Sequence, residues 1–377
     1  MTERVALLVG TRKGLFVLDG DADRKTWDVR GPLCDGWPIH DAIVDPATGA
    51  VLAAGGSNWY GPAVWRSDDL GATWSHSSEG LTYGDDGPKI ATVWNVTAGP
   101  DAVYAGVEPA GLFRSGDGAV TWQHVEGLTN HPTRPEWQPG NGGLCLHSIV
   151  PHPTDTDRVW VGISAVGAFE TRDGGATWEL RNKGVRADFD PNPEPEFGQC
   201  VHKLVMAADG GELLYQQNHC GVYRSANGGR QWEEITKGLP TQFGFPMAAH
   251  PRDPKTVWTI PLSEPDQGRF MPDGHAGVYR TNDGGDTWKR SDAGLPKEHA
   301  WVAVLREAMA VEAHGDTVAE VIADLDAQVP GIRNRLLDAG PSIRTHINVF
   351  VSGERATLTT PVPPGAVVHV IPAVSGG

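Results

Sequence analysis

Cysteine is scarce in this chain: Cys34, Cys145, Cys200 and Cys220 are the only four among 377 residues. So few cannot build a disulfide framework, and free thiols are expected. Concentrated positive charge is missing too. The chain has 31 Lys and Arg against 47 Asp and Glu, for a formal net charge of −16. No basic run reverses this locally, which argues against nucleic acid and anionic membranes as partners. No stretch reaches the roughly 18 apolar residues of a membrane helix. Met1-Thr2-Glu3-Arg4 leads into strand-like residues 5–9 instead of a signal peptide, so a cytoplasmic location is expected.

What is abundant points to β structure. The 48 glycines, 29 prolines and 14 tryptophans suit a turn-rich, aromatic-packed chain. Six segments end in related turns. The clearest are Ser67-Asp68-Asp69-Leu70-Gly71-Ala72-Thr73-Trp74, Thr171-Arg172-Asp173-Gly174-Gly175-Ala176-Thr177-Trp178 and Thr281-Asn282-Asp283-Gly284-Gly285-Asp286-Thr287-Trp288. Looser copies contain Asp117 and Trp122 or end at Trp232, and a divergent one ends at Trp27. The closing tryptophans stand 47 to 56 residues apart. A short strand precedes each turn, as in Gly111-Leu112-Phe113-Arg114, Gly221-Val222-Tyr223-Arg224 and Gly277-Val278-Tyr279-Arg280. Such a period is expected of four-stranded blades arranged radially, and the simplest account is a six-bladed β-propeller over residues 1–299. A truncated seventh blade competes with it, because residues 299–305 look like the start of another period. Within the turns Asp69, Asp117, Asp173 and Asp283 hold backbone amides, while Trp74, Trp122, Trp178, Trp232 and Trp288 fill space between strands. These are expected to be structural residues on outer turns.

The turn pattern resembles the Asp-box, or BNR, repeat of sialidase-like propellers. That resemblance implies an arginine cluster, a tyrosine nucleophile paired with an acid, and a separate proton donor. The chain departs from it: Arg12 does not supply the Arg-Ile-Pro signature, Tyr223 and Tyr279 read as repeated strand residues, and Tyr60, Tyr83 and Tyr215 have no evident carboxylate partner. Sialidase chemistry is not expected.

A second repeated feature opens several blades: Ile39-His40-Asp41, Leu146-His147-Ser148 and Val201-His202-Lys203, with Trp94 and Phe245 at the matching place in other copies. These residues could line one mouth of the axial channel. Three imidazoles suit a transition metal or an anion, and the aromatics could stack on a ligand; ordinary hydrogen-bonded repeat residues explain them equally. Cys145 and Cys200 precede two of the histidines by two positions, without a specific zinc spacing, so the metal is unknown. Loop-like segments carry further candidates for a rim: Trp59 and Tyr60 within 55–62, Arg134, Glu136 and Trp137 within 128–143, and Arg186 and Glu196 within 184–199.

The chain changes character after Pro296. Thr317 and Glu320 have capping-box spacing, and Val318, Val321, Ile322, Leu325 and Val329 form an apolar stripe that Pro330 ends. Strand-like 347–351, a Ser352-Gly353 turn and strand-like 367–371 follow, which makes a small α+β unit over 300–377. Residues 301–305 and 309–312 are all that remains for its opening hairpin. The unit ends in Gly376-Gly377, whose lack of side chains suits threading into an enzyme channel. Stretches 315–337, 346–353 and 364–377 resemble the MoaD/ThiS family of ubiquitin-like sulfur carriers with a β-grasp fold. The resemblance implies that Gly377 is the reactive terminus and that Gly376 gives it access. It also implies an E1-like adenylating partner using ATP and Mg²⁺, a sulfur donor, and a molybdopterin-synthase-like large subunit. Catalytic residues then belong to the partners and no tightly bound cofactor is expected. The combined expectation is a non-enzymatic sulfur carrier for molybdopterin or thiamine biosynthesis, with the propeller as scaffold or binding module. The alternative is a ligand-binding or glycoside-hydrolase-like propeller with a vestigial carrier domain.

Overall fold

A computed structural model describes residues 5–20, 26–304, 347–351, 354–355, 357, 359 and 368–372. The architecture is mainly β, a six-bladed propeller followed by a small β-grasp-type domain. Among the described residues blade 1 has three strands, Val5–Thr11, Gly14–Gly20 and Trp27–Leu33. Blades 2 to 6 have four each and begin at Ile39–Val44, Thr92–Ala98, Leu146–Pro151, Val201–Met206 and Gly244–Ala249. Within a blade the strands pair antiparallel in chain order. The opening strands pack on one another from blade 2 to blade 6, so they wall the central axis.

This up-and-down order sorts the connections onto two faces. Turns between third and fourth strands, which hold the repeated aspartates, lie on one face. Starts of the opening strands, second-to-third hairpins and inter-blade loops lie on the other. The 55–62, 128–143 and 184–199 segments therefore share a face with His40, Trp94, His147, His202 and Phe245.

The turns form for a local reason. In blade 4 the Thr171 hydroxyl donates to Asp173 Oδ1 at 2.8 Å and accepts from the Gly175 amide at 2.9 Å, while Thr177 donates its amide (2.8 Å) and hydroxyl (2.6 Å) to the same carboxylate. Gly175 has φ +95°, and a Cβ there would meet Val125 Cγ1 at 2.4 Å, so glycine is required. Two of the following tryptophans join blades, Trp232 Nε1 donating to Arg181 O at 2.7 Å and Trp288 Nε1 to Ile235 O at 2.8 Å, each in the preceding blade. Trp74 and Trp178 donate to Gly71 O and Gly175 O of their own turns. Asp69, Asp117 and Asp283 make the same threonine contacts. These hydrogen bonds hold their carboxyls below the usual range, Asp69 at about 2.

Blades 4 and 5 are also linked by charge. Glu170 is buried between Arg158 and Arg181, each within 2.6 Å, and Arg158 reaches across to Glu212 at 2.7 Å. Residues after Pro296 stay on the propeller at first. Ala300 is buried with Phe243, Phe245 and Leu262 of blade 6, and Val302 and Val304 pack on that cluster. This contact crosses the expected division after residue 299. Beyond it, Ile347–Val351 pairs with Glu354–Arg355 on one side and Val368–Pro372 on the other, with Val349 opposite Val370. The expected helix from Thr317, the hairpin segment 309–312, Gly376 and Gly377 lie outside the described residues.

Candidate functional site

Each opening strand of blades 2 to 6 carries a register shift near its start: Ile39/Asp41, Val93/Asn95, Leu146/Ser148, Val201/Lys203 and Gly244/Met247. The residue inside the shift is His40, Trp94, His147, His202 or, in the longer shift of blade 6, Phe245 with Pro246. A bulge re-aims its side chain, and the three histidines here meet the next blade. His40 stacks on Trp94 with ring centroids 4.4 Å apart, and His202 stacks on Phe245 at 4.6 Å. His147 bonds Val201 O at 2.9 Å through Nε2, and His202 bonds Gly244 O at 2.6 Å through Nδ1. The repeated histidines thus share a ring, but each is engaged with its neighbouring blade and the three imidazoles do not converge on one ion.

The next residue matters more. Asp41 Oδ2 accepts from the Val96 amide at 3.1 Å and from Asn95 Nδ2, both on the following blade. Burial pushes the Asp41 carboxyl up, against the opposing pull of the Lys203 ammonium and these hydrogen bonds. A second carboxylate lies on the same face, at the end of strand Val103–Glu108: Trp94, the residue before Asn95, donates Nε1 to Glu108 Oε2 at 2.8 Å. Gly143, at the end of the 128–143 loop, approaches Glu108 so closely that a Cβ would meet Oε1 at 2.2 Å. Two carboxylates of different environment are therefore tied to consecutive residues at one mouth of the channel. The sequence singles out neither Asp41 nor Glu108. The signal was weak, because neither belongs to a motif and a bulge decides where Asp41 points.

Aromatic surface lies on the same face. Trp59 is 89% exposed, and Tyr60 stacks on Trp37 at 4.8 Å. The other loop candidates are largely engaged within the fold. Trp137 is buried and bonded to Thr133, with Arg134 over its ring at 4.8 Å. Arg186 pairs with Glu234 at 3.1 Å, and Glu196 offers its carbonyl to Asn182 at 3.1 Å. Glu136 ends a short 3₁₀ turn at 134–136. Tyr83 and Tyr215 donate to Pro109 O and Pro254 O. Burial pushes both phenols up, Tyr215 to about 12, the opposite of what a nucleophile needs.

All four cysteines are free thiols. Burial pushes Cys34 up to about 12 and raises Cys220. Cys200 is only partly buried and lies beside His202 and His219, the three donor atoms within 4.8 Å of one another. His219 was not among the sequence candidates. It lies in the Asn218-His219-Cys220-Gly221 hairpin, and the pairing of Asn218 with Val201 brings it back to Cys200.

These features define a propeller with acidic and aromatic groups at one mouth, carried on the same chain as a β-grasp domain. The ThiS family model matches residues 301–377. Over 73 residues the chain is 38% identical to sulfur carrier protein CysO of Mycobacterium bovis, covering 18% of this chain and 78% of that protein. Through this C-terminal part the chain belongs to the ThiS family.

The propeller is similar to other proteins. A xyloglucanase of Paenibacillus sp is 26% identical over 257 residues, which are 60% of this chain and 23% of the enzyme. The GH74 xyloglucanase from Xanthomonas campestris shares the fold, with a TM-score of 0.53 at 19% identity over 76% of this chain and 43% of the other. The chain thus spans about a quarter of the first of these enzymes. These matches correct two expectations. The propeller's matches are xyloglucanases, including a GH74 enzyme, and not sialidase-like BNR or Asp-box proteins; the Asp and Trp turn that suggested the latter is a hydrogen-bonded reversal that carries no catalytic information. The expectation that the chain is non-enzymatic is likewise overturned by the propeller's likeness to glycoside hydrolases, while the carrier-like C-terminal domain stands.

Proposed function

We propose that the propeller is a glycoside-hydrolase-like module that takes an oligosaccharide of the xyloglucan class at the mouth bearing Trp59, Tyr60 and Asp41. The observation that carries this reading is the placement of Asp41. A carboxyl whose proton affinity is raised by burial is suited to donate a proton to the leaving oxygen of a glycosidic bond, while a second carboxylate activates water or attacks the sugar. Glu108, held by the Trp94 indole, is the carboxylate on the same face suited to the second role. Exposed aromatic rings give sugar rings an apolar surface to stack on. Incubation with xyloglucan oligosaccharides, read by calorimetric binding and by reducing-end release, tests the proposal. Neither binding nor release from any of a panel of β-glucan oligosaccharides would sink it.

A second activity is favoured by the CysO likeness. In this reading Gly377 is a substrate for partner enzymes. An E1-like enzyme with ATP and Mg²⁺ joins AMP to the Gly377 carboxylate and releases pyrophosphate. Sulfide, or a partner persulfide followed by thiol reduction, then displaces AMP and leaves a thiocarboxylate, with Gly376 giving the tail a narrow profile. The thiocarboxylate is the sulfur source for a downstream acceptor, a molybdopterin-synthase-like large subunit being one candidate. Intact-mass measurement after incubation with an activating enzyme, sulfide and ATP should show replacement of one oxygen by sulfur. An unchanged mass with an enzyme proven on its own carrier would exclude this activity.

A further inference from the structure

The cluster of Cys200, His202 and His219 in blade 5 is used by neither activity. Its three donor atoms come from two adjacent strands' ends, and their mutual separations do not exceed 4.8 Å. Tetrahedral ligands on zinc stand roughly 3.3–3.7 Å apart, given bonds of about 2.0–2.3 Å. Binding an ion would require the donors to close by about 1.5 Å at most, and Cys200 and His219 are the two partly exposed ones.

The surroundings prepare these groups for a metal. The His202 Nδ1 bond to Gly244 O, 2.6 Å, commits that nitrogen as donor and puts the ring's lone pair on Nε2. A backbone carbonyl in this position is the usual outer partner of a metal-bound imidazole. The His219 amide donates to Cys200 O at 2.9 Å, which fixes the two ligand backbones against each other. Phe243 lies edge-on to both rings, 5.2 Å from His202 and 5.0 Å from His219, and Phe189 flanks His219 at 5.1 Å. This aromatic wall limits water, yet Cys200 and His219 remain partly open to solvent, which gives an ion a way in. The nearby Cys220 is buried and accepts from the Asp188 amide at 3.4 Å; it is outside the cluster.

We propose that Cys200, His202 and His219 form a mononuclear zinc site with one coordination position left for water or an anionic ligand. One thiolate and two imidazoles suit zinc better than calcium or magnesium, which take oxygen ligands. Loading releases the Cys200 thiol proton and forms the sulfur–zinc bond, with no change of oxidation state.

The test uses the full chain stripped with a chelator. Zinc titrated in competition with a chromophoric chelator should bind at one equivalent per chain. Cobalt in its place should give visible bands of a tetrahedral ion and a thiolate-to-cobalt charge-transfer band in the near ultraviolet. C200S should remove the charge-transfer band, and H219A should weaken zinc by at least about 10- to 100-fold, the loss that follows removal of merely an outer partner. C220S should change neither. Absence of one-equivalent binding, or a cobalt spectrum without the thiolate band in the unmodified chain, overturns the proposal without reliance on any variant. Equal affinity in the unmodified chain and in folded C200S and H219A overturns it as well.

Discussion

The carboxylate of Asp41, on the opening strand of blade 2, accepts the Val96 amide of blade 3 at 3.1 Å. The same relationship recurs between Ser148 Oγ and the Leu204 amide, 3.1 Å apart, in blades 4 and 5. In both cases the residue just past a bulge satisfies a backbone donor of the neighbouring blade. Serine does this without a charge. An aspartate at such a position costs desolvation that serine avoids, which is the basis for the role proposed for Asp41.

D41N tests that cost. Because burial raises the folded carboxyl above its unfolded value near 3.9, stability falls as pH rises from that value through the folded one and then levels off. The asparagine variant lacks this loss. Its melting temperature at neutral pH should equal or exceed that of the parent, while glycoside hydrolysis disappears and oligosaccharide binding persists. Thermal scans over an acid-to-neutral series, with paired binding and turnover assays, check it.

Trp59 should contribute to ligand affinity and not to folding, being 89% exposed. W59A should leave the melting temperature unchanged and weaken oligosaccharide binding roughly 2- to 10-fold, the equivalent of an aromatic stacking contact of about 0.5–1.5 kcal/mol. Calorimetric titration measures it.

The aspartate turns predict acid sensitivity. Thr121 donates its hydroxyl and amide to Asp117 at 2.6 and 2.9 Å, which lowers the folded carboxyl below its unfolded value. The stability this gives is present above about pH 4 and is lost as pH falls through the lowered folded value. Blade 5 already has asparagine at this place: Asn227 Oδ1 accepts from Ser225 Oγ at 2.9 Å and the Gln231 amide at 3.0 Å. D117N should therefore fold normally and flatten the acid limb of the stability curve. D117A should also lower the melting temperature at neutral pH, by about 2–4 °C if one kcal/mol is lost.

Glu170 carries the largest expected stability effect. Its removal leaves Arg158 and Arg181, both buried, without their shared carboxylate. E170A should cost about 3–5 kcal/mol, the usual loss when one partner of a buried ion pair is deleted. Denaturant unfolding followed by tryptophan fluorescence reads it, and an unchanged midpoint would contradict the assigned role of the network.

Much of the architecture was legible before any coordinates. The spacing of Trp27, Trp74, Trp122, Trp178, Trp232 and Trp288 gives one tryptophan to each of the six propeller sheets. The strands at 347–351 and 368–372 fall within a residue of their expected places. The aligned positions of His40, Trp94, His147, His202 and Phe245 were visible as well. Their partners were not, because the bulges bring each histidine against the next blade, and a contact some fifty residues away has no sequence signature. The family of the propeller was misread for a related reason: its most repetitive feature is a structural turn.

What the sequence determined by itself is whatever local chemistry repeats: blade count, turn chemistry with its required glycines, and a C-terminal segment of the ThiS family. These depend on contacts within a few residues or on a period along the chain. Tertiary structure alone decided which side chains share a space. It joined Asp41 to Val96, drew Glu108 to Trp94, and closed Cys200, His202 and His219 into one cluster. Those meetings follow from strand register and blade packing, which bring distant residues together and set the burial that raises the proton affinity of Asp41.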